Sequence, residues 1–446
     1  MNISIFQFRR LRLILPVIAL GLAAFATPLR AFDPGTFKTN GSNNAAAQPA
    51  GIRIVNCDQK VASRKRGVCM NEMAAADFKA FSPGVSWYYN WATDCKDKSV
   101  AGEMEFIPMV WGNGKDAVNG LQHYLASTAK KPRVVLAINE PNLKGQAFIT
   151  PEQTAKLYIE IKGVADKFKL PVVGPNMALG SSENASIKAV DPITKQQTTY
   201  TFLTPFLKAT LADLGNTEVT SVAAHSYGGI GEIKWMVEML HKEFNRPVWV
   251  TEYAQWNASS PEAARDFLIE ATEFLERCPY VEGYAWFKDR AKDNPKISLL
   301  EKQPGKLSIL GEAYVNLPPH DPDLYYRIPG RLQAENFVTA DRAQIRSTVD
   351  TDGKFLMKAE GSGGSLDYNI QVDTAGTYSL KFRVAGSAGK LEVLSGTQVI
   401  GSVDTPNKND WQTVETSVQL PAGAQKFKVR YGSIGQCLNW IEFAKH

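Results

Sequence analysis

The sequence predicts an α/β chain: a closed (β/α)8 barrel of parallel strands, the TIM-barrel class, followed by a smaller all-β sandwich of jelly-roll type. Three observations carry this. Short apolar runs alternate with helical stretches between residues 64 and 317, the pattern of βαβ units. Eight such runs over about 250 residues is the size at which a parallel sheet closes on itself. From residue 330 to 446 the helical periodicity stops, and alternating runs with Gly-rich turns replace it.

The N-terminus is set aside first. Arg9, Arg10 and Arg12 precede an apolar run over 13–26, the length of a signal-peptide core and short for a bilayer span. Residues 1–31 therefore read as a signal peptide, and a secreted or periplasmic protein with no membrane association after cleavage is expected. The 446-residue chain carries a formal charge of +5, and removing its first 31 residues takes away four arginines and no acid, leaving +1. A near-neutral chain gives no reason to expect nucleic acid or an anionic membrane as partner. A neutral polymer fits better, and a monomer is expected. Residues 32–63, rich in Gly, Asn, Ser, Ala and Pro at their start, read as a mostly disordered leader.

The eight candidate strands are 65–71, 85–91, 105–111, 134–140, 171–176, 221–227, 248–253 and 281–287. Helical patterns cover 152–169, 232–244 and 261–277, with Pro151 and Pro261 in first turns where a missing N–H costs nothing. No Gly-rich phosphate turn follows any strand, which weighs against a doubly wound sheet. The link between strands two and three is short for a helix. Residues 318–329, rich in proline, charge and tyrosine, read as a linker. In the tail, 377–384, 390–394, 413–420 and 426–431 alternate as strands. None of the five cysteines has metal-site spacing. On this frame Cys69 and Cys95 share one barrel face while Cys57 and Cys278 share the other. Of the three pairings open to these four, Cys69–Cys95 and Cys57–Cys278 are expected, leaving Cys437 as a small buried thiol.

In a parallel barrel the C-terminal strand ends build the site. Strand four ends in Asn139-Glu140-Pro141-Asn142 and strand seven in Thr251-Glu252-Tyr253. A carboxylate emerging from an apolar strand is costly unless used or paired. Two of them across a barrel mouth are what glycoside cleavage needs, with Glu140 as acid/base and Glu252 as nucleophile. A salt-bridged glutamate explains either one alone better than it explains both. His225 and Tyr227, two apart on strand six, face one side and are placed to hold Glu252. Asn139 and Asn176 are candidates to hydrogen-bond sugar hydroxyls or the glutamates. Trp87, Tyr89, Trp91, Trp111, Trp256 and Trp286 fall near the same face, where rings suit the C–H faces of sugars. Core packing is an equal reading for Trp87 and Tyr89.

SWYYNW, FIPMVWG, INEPN, GPNM, HSYGG, VTEYA and GYAWF, in that order over 64–317, resemble glycoside hydrolase family 128, the endo-β-1,3-glucanases. The resemblance implies retention of anomeric configuration, no cofactor, and substrate contacts from Trp91, Trp111, Asn139, Tyr227 and Trp286. The insertion from 181 to 200 departs from the compact members and leaves endo versus exo action open. LQAEN, GTYSLKFRV, DWQTV, AGAQKFKVRY and LNWIEF resemble a family 6 carbohydrate-binding module. This implies sugar contacts from Trp411 and Asn439, a loop aromatic for which Phe355 is the candidate, and a structural calcium with Glu335 as ligand. The whole then reads as a secreted endo-β-1,3-glucanase with an appended binding module. The alternatives are exo action or another linkage on the same barrel, or a glucan-binding protein without catalysis.

Overall fold

The computed structural model describes residues 51–71, 74–96, 103–112, 114–351 and 353–446. The expected signal peptide and most of the expected leader lie outside them. The barrel strands, all parallel, are Ser63–Cys69, Val85–Tyr89, the pair Glu105–Phe106 and Met109–Val110, then Val135–Ala137, Val172–Met177, Ser221–Ser226, Val248–Tyr253 and Val281–Trp286. The third strand is broken at Ile107-Pro108, because proline has no N–H to give the ladder. Its first half pairs with the second strand and its second half with the fourth. Pro108 still accepts the Leu136 N–H at 3.0 Å, so the ring closes through this one interrupted strand.

Alternation along each strand divides the barrel into an inner and an outer layer. Cys69, Trp87, Tyr89, Ile107, Met109, Leu136, Val173, Ala223, Trp249 and Ala285 form the inner cluster. Trp87 and Trp249, with rings 5.4 Å apart, fit inside because Gly67 and Gly283 face them. A Cβ at those glycines would sit 2.2 and 2.3 Å from the two indoles. The Arg133 guanidinium lies over both rings, 5.8 and 5.6 Å from their centroids.

Seven helices stand among the described residues, none of them between the second and third strands. Pro151–Lys167 opens with a capping box: Thr150 accepts the Gln153 N–H at 3.2 Å, and Gln153 accepts the Thr150 N–H at 2.9 Å. Ser260 caps Pro261–Arg277 in the same way, taking the Ala263 N–H. The insertion after the fifth strand is a hairpin, Ile187–Val190 with Gln197–Tyr200.

The tail forms two sheets. One orders Arg53–Asn56, Leu324–Ile328, Ser365–Val372, Gly423–Tyr431, Gly389–Ser395 and Gln398–Thr405, with Thr339–Asp341 beside Ser365–Val372. The other orders Ala343–Ser347, Phe355–Ala359, Gln436–Lys445, Gly376–Gly386 and Lys408–Leu420, with Gly330–Gln333 beside Gln436–Lys445. Phe427 and Phe443 meet between the two sheets at 5.3 Å. Two segments behave differently from expectation. Arg53–Asn56, expected as leader, and Leu324–Ile328, expected as linker, pair in parallel as strands of the first sheet. Leu324, Tyr326 and Ile328 alternate into the core, which makes that segment a strand despite its composition, while Arg53–Asn56, largely exposed, is held by backbone pairing along its edge.

Neither expected disulfide forms. Cys69 points into the barrel and donates its thiol to Thr251 O at 3.5 Å. Cys95 lies instead in the layer between sheet and helices. Cys57 donates to Arg327 O in the sandwich at 3.0 Å, while Cys278 sits beside Tyr280 and Lys65 on the barrel. Cys69 and Cys95 thus face different layers of the barrel, and Cys57 belongs to the sandwich while Cys278 belongs to the barrel, so neither pair of thiols meets. Cys437 is half-buried rather than buried.

Barrel and sandwich belong to one compact unit, 51–446. Arg277 donates to Ala340 O at 2.9 Å and lies over Phe337. His320 stacks on the same ring, with Nδ1 2.7 Å from Phe337 O and Nε2 2.7 Å from Glu273.

Candidate active site

Strand four stops being regular at Ala137. Ile138 and Glu140 take left-handed φ values of 49° and 43°, which side-chain-bearing residues seldom adopt. Asn139 makes a lone parallel bridge to Asn176, and the Glu140 N–H bonds Asn176 O at 2.7 Å. This kinked exit, rather than a continued strand, places the Glu140 carboxyl. Asn142 holds the same corner by exchanging two hydrogen bonds with Ala178, at 2.7 and 3.0 Å. Strand seven carries Glu252 opposite His225 of strand six, just past a one-residue shift in register between Ala223 and His225.

The structure brings Glu140, Glu252, His225 and Tyr227 together, all but Tyr227 buried. Glu252 accepts from Tyr89 at 3.0 Å, from Trp91 Nε1 at 2.8 Å, and from the Tyr227 hydroxyl. Three donors on one carboxylate fix its plane and its free lone pair. His225 Nδ1 stands 2.9 Å from Glu140 and 3.5 Å from Glu252, so it serves Glu140 more closely than the expected Glu252. Burial pushes the Glu140 carboxyl above its usual range, and neighbouring Glu252 adds to this while His225 partly opposes it. Burial disfavours charge on His225, but Glu252 and Glu140 outweigh it and raise the imidazole. Tyr227 and Tyr89 are raised well above the ordinary phenol by burial and by Glu252.

One ligand atom from each of Glu140, His225 and Glu252 lies within 4.8 Å of the others. This is the set among the described residues able to hold a cation. The 2.9 Å hydrogen bond already accounts for the approach of imidazole and carboxylate.

Around this centre Trp91, Phe287, Tyr227 and Trp256 form a continuous aromatic wall, with ring centroids 5.4 to 6.5 Å apart. Lys288 lies over the Trp91 ring at 5.5 Å. Trp111 is exposed at the end of the broken strand, and Gly112 beside it faces Ala147 of the loop carrying exposed Phe148. Asn139 donates to Gln146 at 3.1 Å, and its buried Oδ1 has no partner within the protein.

Two expectations fail here. Trp286 is fully buried between sheet and helices, packed on Tyr253 and Phe267 and donating to Ile297 O at 2.8 Å. The next residue, Phe287, faces the cleft instead. The Asn176 side chain reaches neither carboxylate: its amide donates to Ala137 O at 2.6 Å and accepts from Thr251 at 2.8 Å. Phe287 and Thr251 carry no assigned role in the sequence reading; only the GYAWF alternation offered a signal, and for the neighbouring residue.

In the sandwich, Asn439 occupies a bulge facing Arg383 and Val384. Trp411, half-buried, lies on the strand at the other side of that pair. Asn439 donates to Asp350 at 2.7 Å, a carboxylate held twice by Arg383. Its Oδ1 has no partner within the protein. Phe355 is core, 1% exposed, so it offers no binding ring. Calcium fits poorly at Glu335. That carboxyl is buried with one oxygen unpartnered and is pushed up to about 8 by burial. Neighbouring Glu273 is already taken by His320, and Glu335 joins no group of three ligating side chains among the described residues. A hard cation wants several converging oxygens.

A closed parallel barrel with paired glutamates at the ends of strands four and seven defines a glycoside hydrolase. The "Glycosyl hydrolase catalytic core" family matches residues 67–314, more than half of the chain, and the chain belongs to that family. "Carbohydrate binding module (family 6)" matches residues 333–445. Among solved structures, a family 128 (subgroup II) endo-β-1,3-glucanase from Sorangium cellulosum is 28% identical. It covers 58% of this chain and all of its own, with a TM-score of 0.50. One from Pseudomonas viridiflava is 31% identical over 58% of this chain and 99% of its own, with a TM-score of 0.49. The clotting factor G alpha subunit of Tachypleus tridentatus is 27% identical over 122 residues; the chain spans 18% of that relative's length.

Proposed function

We propose that the protein is an exported, retaining endo-β-1,3-glucanase whose C-terminal module holds it to its polymer. The observation that carries the chemistry is the spacing of the carboxylates: one oxygen of Glu140 lies within 4.8 Å of one of Glu252. Retaining enzymes place the two groups about 5–5.5 Å apart, whereas inverting ones leave about 6.5–9.5 Å for a water. Glu140, its carboxyl raised by burial, gives its proton to the glycosidic oxygen as the C1–O bond breaks. Glu252, steadied by Tyr89, Trp91 and Tyr227, attacks C1 to form a glycosyl-enzyme ester. Water then gives its proton to Glu140 as its oxygen bonds C1, and Glu252 departs. No cofactor enters these steps.

The choice of β-1,3-glucan is supported by the likeness to the Sorangium cellulosum endo-β-1,3-glucanase and by an aromatic wall suited to a neutral polymer. Linking a binding module to the barrel raises the effective substrate concentration without a new catalytic contact. Product analysis of linear β-1,3-glucan and cellulose digests tests the linkage and the endo action, and the anomer released first, read by NMR, tests retention. Short β-1,3 oligosaccharides of mixed length are expected from the wild type. Glu140→Gln and Glu252→Gln should each lower kcat by about 10²–10⁴-fold or more. Release of a single product size would replace endo with exo action. Intact polymer that still binds the protein would leave only the binding reading.

A further inference from the structure

Behind the two glutamates runs a chain of four buried polar groups whose direction is fixed at its far end. The Ala137 carbonyl can only accept, so Asn176 Nδ2, 2.6 Å away, is the donor there. This turns Asn176 Oδ1 toward Thr251, whose hydroxyl lies 2.8 Å from it. A hydroxyl has one proton, and Thr251 spends it on Asn176, leaving its oxygen to accept. The neighbour it accepts from is His225 Nε2, at 3.0 Å. His225, Thr251 and Asn176 are all buried, so no solvent competes for these positions.

We propose that Asn176 and Thr251 are positioning residues that hold His225 in its Nε2–H form, so that one proton is shared between His225 Nδ1 and Glu140 and is the proton delivered to the leaving oxygen. The proposal rests on the reading of Glu140 as acid/base. Its consequence lies in the state without that proton. A neutral Nε2–H ring turns a lone pair at the Glu140 carboxylate across 2.9 Å, which is unfavourable. The ring escapes by moving its proton to Nδ1, but then Nε2 needs a donor. Thr251 can supply one only by abandoning Asn176. The relay therefore keeps the proton on the pair before cleavage. After cleavage it makes Glu140 a stronger base toward the attacking water.

The other titratable groups around this pair are Glu252 beside His225 and Tyr227, whose hydroxyl rests on Glu252. Tyr89, Cys69 and Lys288 stand beyond Glu252. Glu252 and Glu140 both favour a protonated imidazole, in agreement with the raised positions of both members of the pair.

The test joins the pH profile of kcat/KM to a direct reading of the tautomer. Long-range 1H–15N correlations in the full-length labelled protein distinguish Nε2–H from Nδ1–H, with His225→Gln identifying the signals. The wild type should show Nε2–H or the doubly protonated ring. Thr251→Val should shift the neutral ring to Nδ1–H and lower the basic limb of kcat/KM by about one pH unit, the scale of one hydrogen bond. Thr251→Ser, which keeps the hydroxyl, should restore the wild-type limb. Asn176→Ala, which does not touch His225, should move the limb the same way because it frees Thr251 to turn. It also serves if Thr251→Val does not fold. A wild-type ring in the Nδ1–H form, or variants that lose rate with an unmoved basic limb, overturns the proposal. A protein that cleaves no glucan yet shows the tautomer and its switch sustains the relay while removing the glucanase reading.

Discussion

Trp286 and Phe287 are adjacent, and their side chains serve different layers. Trp286 is a strut: its indole packs on Tyr253 and Phe267 and its N–H is taken by Ile297 O. Phe287 contacts Trp91, Tyr227 and Trp256 in the wall of the cleft. Trp286→Phe should therefore lower stability by about 1–2 kcal/mol through a lost buried hydrogen bond, with KM unchanged. Phe287→Ala should raise KM about tenfold at little cost in melting temperature, since stacked rings are worth about 0.5–1.5 kcal/mol beyond their area. Thermal unfolding and glucan kinetics on the same two variants separate the roles. The glutamates were legible because a carboxylate ending an apolar strand is conspicuous. The wall was legible only in part, because the last residue of a strand and the one after it differ by half a pleat.

The strand Arg53–Asn56 is four residues long and pairs with a segment some 270 positions later. It covers the edge of Leu324–Ile328, and Arg53 adds an ion pair to Asp321 at 2.7 Å. That pair is half-exposed and contributes little by itself. The covered edge matters more, because an open edge offers a row of unpaired backbone groups. A chain beginning at Cys57 should melt about 2–5 °C lower and show a greater tendency to associate, measured by calorimetry and light scattering. Element by element, the long capped helices and six of the eight barrel strands follow their sequence patterns closely. The third strand, split by Pro108, and the fourth, cut short before Glu140, do not. A proline removes one donor, and the left-handed exit at Ile138 is imposed by neighbouring strands.

At the scale of the molecule, the junction of barrel and sandwich is built on His320, Glu273, Phe337 and Arg277, with Glu335 close behind. Burial raises the Glu335 carboxyl from 4.5 to about 8, so the folded protein holds it neutral while the unfolded chain ionises it. The folded state thus binds the extra proton. The stability this gives is fully present below pH 4.5 and is lost as pH rises toward about 8. The loss amounts to a few kcal/mol, because each pH unit climbed between those limits costs about 1.4 kcal/mol. Glu335→Gln should flatten the fall in melting temperature between about pH 5 and 9. A variant that falls as steeply as the wild type would place the titration elsewhere.

The barrel, the sandwich and the two glutamates are written in local pattern: period, caps, and charge at the end of an apolar strand. That Trp286 turns away and Phe287 turns in is set by long-range packing. The same packing sends Cys69 and Cys95 to different layers, puts Cys57 in the sandwich and Cys278 on the barrel, and turns Asn176 to Thr251 rather than to sugar. Those outcomes depend on which side of a sheet a residue faces and on what another strand brings opposite it. Neither is a property of neighbouring residues in the chain.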